Sequence, residues 1–223
     1  AYTVLSVQTA WLKTHFPAEF MAAVLTHNKN DITKLNFFPR ECKRMNIPVL
    51  PPDVNESNIN FTVNSKGAIR FGLSALKNMG EGSGDDIINE RKANGPFASI
   101  FDLTSRVNLK AVNKKALEAL VMGGGMDCFE GTHRAQYFAP TDRYESLIEH
   151  AIRYGQSVQA QASQTQLTLF GDSSTNMFQE PSLPQVPHWS LIEKLTREKE
   201  ITGIYMSGHP LDDYRLEIEH FTN

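Results

Sequence analysis

The sequence predicts a mainly α-helical protein with one small β-hairpin. Apolar residues recur at helical spacing in residues 1–45 and again from Ser99 onwards. Alternation typical of strands is confined to residues 61–63 and 69–71, and residues 64–67 between them have turn composition. Residues 156–187 are rich in Gln, Ser, Thr and Pro, and too few apolar side chains are present to offset the entropy of ordering. We therefore expect a partly disordered linker there.

The first 65 residues predict three helices followed by short strands. Trp11 lies in the first helix, and Pro17 suits the first turn of the second. Asp31 is a candidate cap for a third helix, which Pro39 is expected to interrupt. Residues 47–50 predict a short strand that ends at two prolines.

Residues 73–91 contain the most informative pattern of the chain. A short helix through Leu73 is followed by a turn at residues 78–80, where Asn and Gly tolerate positive φ. A second helix is expected to follow, with Asp85 in its first turn. Glycines 80, 82 and 84 would leave backbone N–H groups bare at that helix start, which is typical of a phosphate site. The pattern predicts a helix-hairpin-helix motif that binds nucleic-acid backbone; a turn used only for packing is the alternative.

The same pattern recurs at a constant offset of 44 residues. Leu117, Leu120 and Gly124 repeat Leu73, Leu76 and Gly80, and a short amphipathic helix again ends in glycine. Two hairpins related by a local two-fold axis could each hold the phosphates of one DNA strand. The predicted DNA-contacting residues are Lys77, Asn78, Met79, Gly80, Gly82, Ser83, Lys114, Lys115, Gly123, Gly124, Gly125 and Arg134.

The charge distribution is compatible with weak binding to DNA. The net charge is −3, but the acidity lies in residues 135–223, which carry six bases and twelve acids. Residues 66–134 carry ten bases and eight acids. We expect few neutralised phosphates and a shallow dependence of affinity on salt.

Several classes of protein are disfavoured by composition. The chain is 40% hydrophobic and has no apolar run long enough to span a bilayer, and no signal peptide is apparent. Cys42 and Cys128 lie far apart without metal-ligand spacing, so free thiols in a reducing cytoplasm are expected. The chain begins without Met inside a helical pattern, which we interpret as a fragment of a longer protein.

A second motif lies inside the predicted linker. Residues 166–170, Gln-Leu-Thr-Leu-Phe, place three large apolar side chains in a polar segment. Leu169 and Phe170 could fill a pocket on a partner, while Gln166 supplies a hydrogen-bonding anchor. The alternative is an apolar patch that folds back on its own domain.

The C-terminal residues return to helical patterning. Ser190 and Glu193 predict a capping box for a helix through Leu195. His209 follows Ser207, but no acid or second histidine is placed to support catalysis, so a turn at a helix boundary is the preferred interpretation.

These segments together resemble the bacterial DNA polymerase III alpha subunits. The resemblance rests on five stretches in the same order and spacing: residues 1–25, 50–55, 71–73, 120–127 and 207–211. It implies a fingers portion in residues 1–65, a tandem helix-hairpin-helix domain in 66–155, a flexible linker in 156–187, and a C-terminal helical segment in 188–223 that leads to a further domain.

The resemblance also implies partners and the place of the chemistry. Gln166, Leu167, Leu169 and Phe170 would bind a sliding clamp, and the other partners would be double-stranded primer-template DNA and further replicase subunits. The family's catalysis uses Mg²⁺ held by palm carboxylates that would lie before Ala1, so this chain alone needs no cofactor and should be inactive. A cytoplasmic location, away from membranes, follows from the same resemblance.

Three positions depart from the family pattern. Asn78 stands where glycine is usual, and Gly125 with Met126 replaces the more usual Ala-Phe pair. Two other classes of function stay open from the residues: a helix-hairpin-helix module of a repair nuclease or helicase, and a nucleotide-binding enzyme using residues 80–84. The second lacks the Lys-Ser/Thr pair and the parallel βαβ unit of phosphate-binding loops.

Overall fold

The computed structural model describes residues 2–167 and 180–211. The described part is mainly helical, with a small sheet, as the sequence predicts. Its helices are α1 (Tyr2–His15), α2 (Pro17–His27), α3 (Ile32–Arg44), α4 (Glu81–Asn94), α5 (Ile100–Arg106), α6 (Lys114–Gly123), α7 (Arg134–Phe138), α8 (Leu147–Leu167) and α9 (Leu191–Thr202). A 3-10 helix spans Leu73–Ala75, and the strands are β1 (Val49–Leu50), β2 (Thr62–Val63) and β3 (Ile69–Arg70).

Helix α3 confirms one N-terminal prediction and corrects another. The Asp31 carboxylate accepts hydrogen bonds from the backbone N–H groups of Thr33 and Lys34, so it caps the helix as predicted. Pro39 does not interrupt α3, which continues to Arg44. A proline removes one N–H donor from the helix ladder and crowds the carbonyl four residues earlier, which can bend a helix without ending it.

The predicted β-hairpin is present, and the short strand predicted within residues 47–50 joins it as β1. β2 and β3 pair antiparallel, and the Asn64 side chain accepts from the N–H groups of Lys66 and Ala68 in the connecting turn. β1 pairs parallel with β3, which gives the strand order β1-β3-β2. The residues around this sheet, including Phe61 and Phe71, share one buried core with α2, α4, α5, α6 and α8.

Helix α8 differs from the linker predicted for part of its length. The chain leaves α7 after Phe138 and resumes as a helix at Leu147. Helix α8 then runs to Leu167, so residues 156–167 are helical instead of belonging to a linker. Helix α5 supplies the reason, since the Gln159 side-chain amide donates to the carbonyl oxygens of Thr104 and Val107 at 3.0 and 2.9 Å.

The chain returns to the same domain after the span that the structure leaves undescribed. Residues 180–190 have no regular secondary structure but lie against the helices. The Ser99 hydroxyl donates to the Glu180 carboxylate at 2.9 Å, and the Gln136 amide donates to the Pro184 carbonyl at 3.1 Å. The His188 ring stacks on that of His133 with centroids 3.8 Å apart. The Ser190 hydroxyl then caps α9 by accepting from the Glu193 N–H, which is one half of the predicted capping box.

A buried ion pair fixes α9 against the rest of the fold. Glu198 is fully buried, and its carboxylate accepts from the N–H groups of Met206 and Ser207 at 2.8 and 2.9 Å. The guanidinium of Arg134, only 5% exposed, lies 3.3 Å from the same carboxylate. Arg134 also pairs with Asp127 at 2.6 Å and donates to the Met122 carbonyl. The network joins the ends of α6, α7 and α9.

Replacing Arg134 by alanine should lower the free energy of unfolding by about 3–5 kcal/mol, because Glu198 would stay buried without its counter-charge. Urea denaturation followed by circular dichroism measures this change. Lys115→Ala removes an exposed cation and should change stability by no more than about 0.5 kcal/mol. Equal stability of the two variants would contradict a structural role for Arg134.

Candidate nucleic-acid interface

The first glycine corner, residues 78–84, joins the 3-10 helix to α4. Asn78 has φ +68°, so it takes the left-handed turn that the sequence predicts at this point. Helix α4 begins at Glu81, four residues before Asp85, so the glycines form its first turn and not a loop ahead of it. Gly80 is the N-cap, and no side chain of the described residues caps the helix.

The outer face of this corner is open and has unused donors. Lys77, Asn78, Gly80 and Gly82 are exposed. A Cβ at Gly82 would meet no atom within 4 Å. Within the described residues, the backbone N–H groups of Glu81 and Gly82 have no hydrogen-bond acceptor. Bare amides at the positive end of a helix dipole favour an anion.

Two residues of the predicted site act from below this surface. Met79 is 6% exposed and belongs to the core, so it anchors the turn instead of contacting a ligand. Ser83 is 7% exposed, and its hydroxyl donates to the carbonyl oxygen of Ala111 at 2.7 Å. That bond attaches the first glycine corner to the turn between α5 and α6.

The turn between α5 and α6, residues 108–115, is the lysine turn. The N–H of Asn108 donates to the Asp86 carboxylate at 2.7 Å, which adds a second link to α4. Asn113 caps α6 by accepting from the Ala116 N–H. Two exposed lysines, Lys114 and Lys115, occupy the first turn of α6. Cations are unfavourable at a helix N-terminus unless an anion is nearby.

Sequence reasoning assigned Lys114 and Lys115 to the site but missed Lys110, which is exposed in the same turn. The signal was available, since an Asn cap followed by two lysines and no acid reverses the usual charge preference of a helix start. Lys114 lies 3.9 Å from Glu149 of α8, whereas Lys77, Lys110 and Lys115 form no ion pair in the described part of the chain.

The second glycine corner, residues 123–125, is closed to solvent. All three glycines are buried. Gly124 has φ +89° and ends α6, and its N–H donates to the carbonyl oxygen of Val121 at 3.1 Å. The N–H of Gly125 donates to the Leu120 carbonyl at 2.6 Å. Amides that already have acceptors inside the protein are not available to phosphates, which corrects the prediction for Gly123, Gly124 and Gly125.

Arg134 explains why glycine is required in that corner. A Cβ on Gly124 would overlap the Arg134 guanidinium and would lie 3.2 Å from the Asp127 carboxylate. Burial opposes the charge of Arg134, but the hydrogen bonds and charges of Asp127 and Glu198 hold its pKa above the ordinary value. The predicted phosphate contact by Arg134 is therefore also corrected, because the side chain is enclosed by carboxylates.

The remaining predicted features lie partly or wholly outside this surface. In the predicted clamp-binding segment, residues 166–170, Gln166 and Leu167 end helix α8, whereas Leu169 and Phe170 lie outside the described residues. Among residues 2–167 and 180–211, no cluster of His, Cys, Asp or Glu is arranged to hold a metal ion. Over the same residues, no helix combines the length and apolarity needed to cross a membrane. Both cysteines are free thiols.

Comparison with known proteins agrees with this architecture. Residues 46–137, which include the first glycine corner and the lysine turn, match the helix-hairpin-helix motif family. DNA polymerase III subunit alpha of Vibrio cholerae is 38% identical over 229 residues, covering 100% of this chain and 19% of that protein. The corresponding protein of Escherichia coli K12 is 38% identical over 99% of the chain and 18% of its own length. That of Treponema pallidum is 39% identical over 98% and 18%.

The chain spans about a fifth of the length of the curated relatives it matches. The similarity extends along essentially the whole chain and is joined by the helix-hairpin-helix match in its middle. By this similarity the chain belongs to the DNA polymerase III subunit alpha family, as a segment of it.

Proposed function

We propose that this chain is a non-catalytic part of a replicative DNA polymerase that holds duplex DNA by its sugar-phosphate backbone. The observation that carries the proposal is the pairing of two exposed helix starts. The Ser83 hydroxyl, bonded to Ala111 at 2.7 Å, holds the first turn of α4 beside the lysine turn that leads into α6.

Each helix start supplies what a phosphate requires. Helix α4 offers the bare N–H groups of Glu81 and Gly82, with Lys77 exposed beside them. Helix α6 offers its positive dipole end together with Lys110 and Lys115. Such contacts fix the position of the protein on the duplex and do not distinguish bases, so binding should be neutral to sequence.

The acidic groups near the interface limit the strength of binding. The Glu81 carboxylate lies at the first turn of α4, where Lys29 pairs with it at 3.3 Å. Lys114 must leave Glu149, 3.9 Å away, before it can contact a phosphate. Both ion pairs reduce the free energy gained from each phosphate contact. This agrees with the weak DNA binding expected from the charge distribution.

The proposal extends to the partners implied by the family resemblance. Residues 166–170 would bind the sliding clamp through Leu169 and Phe170, and this contact would raise the effective concentration of polymerase at the primer end. In the parent protein, Mg²⁺ would be held by carboxylates outside this chain. We also propose that the chain contacts other replicase subunits and acts in the cytoplasm.

The paired variant Lys77→Ala/Lys115→Ala should weaken binding to duplex DNA equally for unrelated sequences. Each lost phosphate contact lowers the slope of log affinity against log salt by about 0.9, so the slope should fall by roughly twice that amount. Fluorescence anisotropy over a salt series measures both quantities.

The matched control is Lys66→Ala/Lys92→Ala, which removes two exposed lysines from the sheet turn and the far end of α4. This control should bind as the unaltered chain does. A strong preference among unrelated duplexes, or the same loss in the control, would contradict binding through the two helix starts.

Replacing Leu169 and Phe170 together by alanine should abolish binding to the sliding clamp, because these side chains are the apolar anchors of residues 166–170. Isothermal titration calorimetry with the clamp measures the affinity. Thr168→Ala, at a position without an assigned contact, should bind normally. Retained affinity in the double variant would remove the assignment.

The isolated chain should add no nucleotides to a primer in the presence of Mg²⁺, because the family's catalytic carboxylates are expected outside it. A primer-extension assay with the purified chain checks this expectation, with the intact polymerase as the positive control. Extension that tracks the purified chain would refute it.

A further inference from the structure

A basic cleft of about 920 Å³ lies between α3 and the turn that follows α9. Arg40 and Lys43 of α3 form one side, and Lys199 of α9 with Tyr205 and His209 form the other. None of the described residues that line the cleft is acidic. The cleft is separate from the first glycine corner and from the lysine turn, and the proposed duplex contacts do not use it.

Within residues 2–167 and 180–211, no side chain neutralises the cations of this cleft. In the described part of the chain, Arg40 and Lys43 form no ion pair. The acid between them, Glu41, is engaged by Lys13 and Arg44, each at 3.1 Å. An uncompensated group of cations in a concave surface focuses a positive potential and raises the local concentration of anionic ligands.

The opposite wall adds an aromatic ring. The Lys199 ammonium lies 4.6 Å from the centre of the half-buried Tyr205 ring and pairs with no carboxylate in the described residues. Cations along a groove together with an aromatic side chain are the combination by which proteins bind single-stranded nucleic acids, through phosphates and stacked bases.

The position of the cleft relates it to the first glycine corner. The Lys77 N–H donates to the carbonyl oxygen of Ile201 at 2.9 Å, so the corner rests on the last turn of α9. Lys199 lies two residues earlier on that helix. A nucleic acid bound at the first glycine corner would therefore reach the cleft by passing the C-terminal end of α9.

We infer that the basic cleft binds the backbone of an unpaired nucleic-acid strand that continues from the duplex; its place beside that duplex rests on the proposed function. Duplex DNA is stiff, with a persistence length of about 50 nm, whereas a single strand can bend into a concave site. The arrangement would let the chain favour a junction between paired and unpaired DNA over a blunt duplex.

The test compares a blunt duplex, the same duplex with a single-stranded extension on either strand, and the extension alone, by fluorescence anisotropy with the full 223-residue chain. The unaltered chain should bind one extended duplex about tenfold more tightly than the blunt one. Arg40→Ala/Lys43→Ala should lose that gain and keep its blunt-duplex affinity. Two lost contacts to single-stranded phosphate should reduce the salt slope by roughly 1.4.

Lys34→Ala/Arg44→Ala is the matched control, since it removes two cations of α3 that pair with Asp31 and Glu41 outside the cleft. It should keep the gain, and thermal unfolding shows whether each variant is folded. No gain with either extension, or equal loss in the control, would overturn the cleft assignment. If the chain does not bind the blunt duplex but still binds the extension through Arg40 and Lys43, the proposed function is wrong and the cleft assignment stands. Polyglutamate binding as tightly as the oligonucleotide would also overturn the assignment.

Discussion

The buried pair of Arg134 and Glu198 is the contact on which the arrangement of the binding surfaces depends. The two groups lie 3.3 Å apart with almost no exposure, and each completes its hydrogen bonds with backbone or polar partners. Because Glu198 is on α9, the pair fixes that helix against α6 and α7. Helix α9 in turn carries the Ile201 carbonyl that supports the first glycine corner and the Lys199 side chain of the basic cleft.

The same interaction separates the two glycine corners into different roles. At the first corner, glycine keeps bulk away from an open helix start. At the second, glycine at residue 124 makes room for the guanidinium of Arg134 and allows the left-handed turn that ends α6. Two similar sequence patterns thus form an exposed surface in one case and a buried contact between helices in the other.

Local patterns were predictable from sequence, and long-range ones were not. The caps at Asp31 and Ser190 and the turn at Asn64 depend on neighbours within four residues, so the sequence was sufficient. The burial of Arg134 depends on Glu198, which is 64 residues away. The pairing of the first corner with the lysine turn depends likewise on Ser83 reaching Ala111. Helical order in residues 156–167 depends on α5, which composition alone does not reveal.

The continuity of helix α8 has a mechanical consequence. Glu149 contacts Lys114 of the lysine turn near one end, and Gln166 lies in the last turn at the other. Seventeen residues of α-helix span about 25 Å, so the start of the proposed clamp-binding segment is set at a fixed distance from the proposed DNA surface. A rigid spacer of this kind would constrain the angle and separation between ring and duplex, whereas a freely flexible arm would leave both undefined.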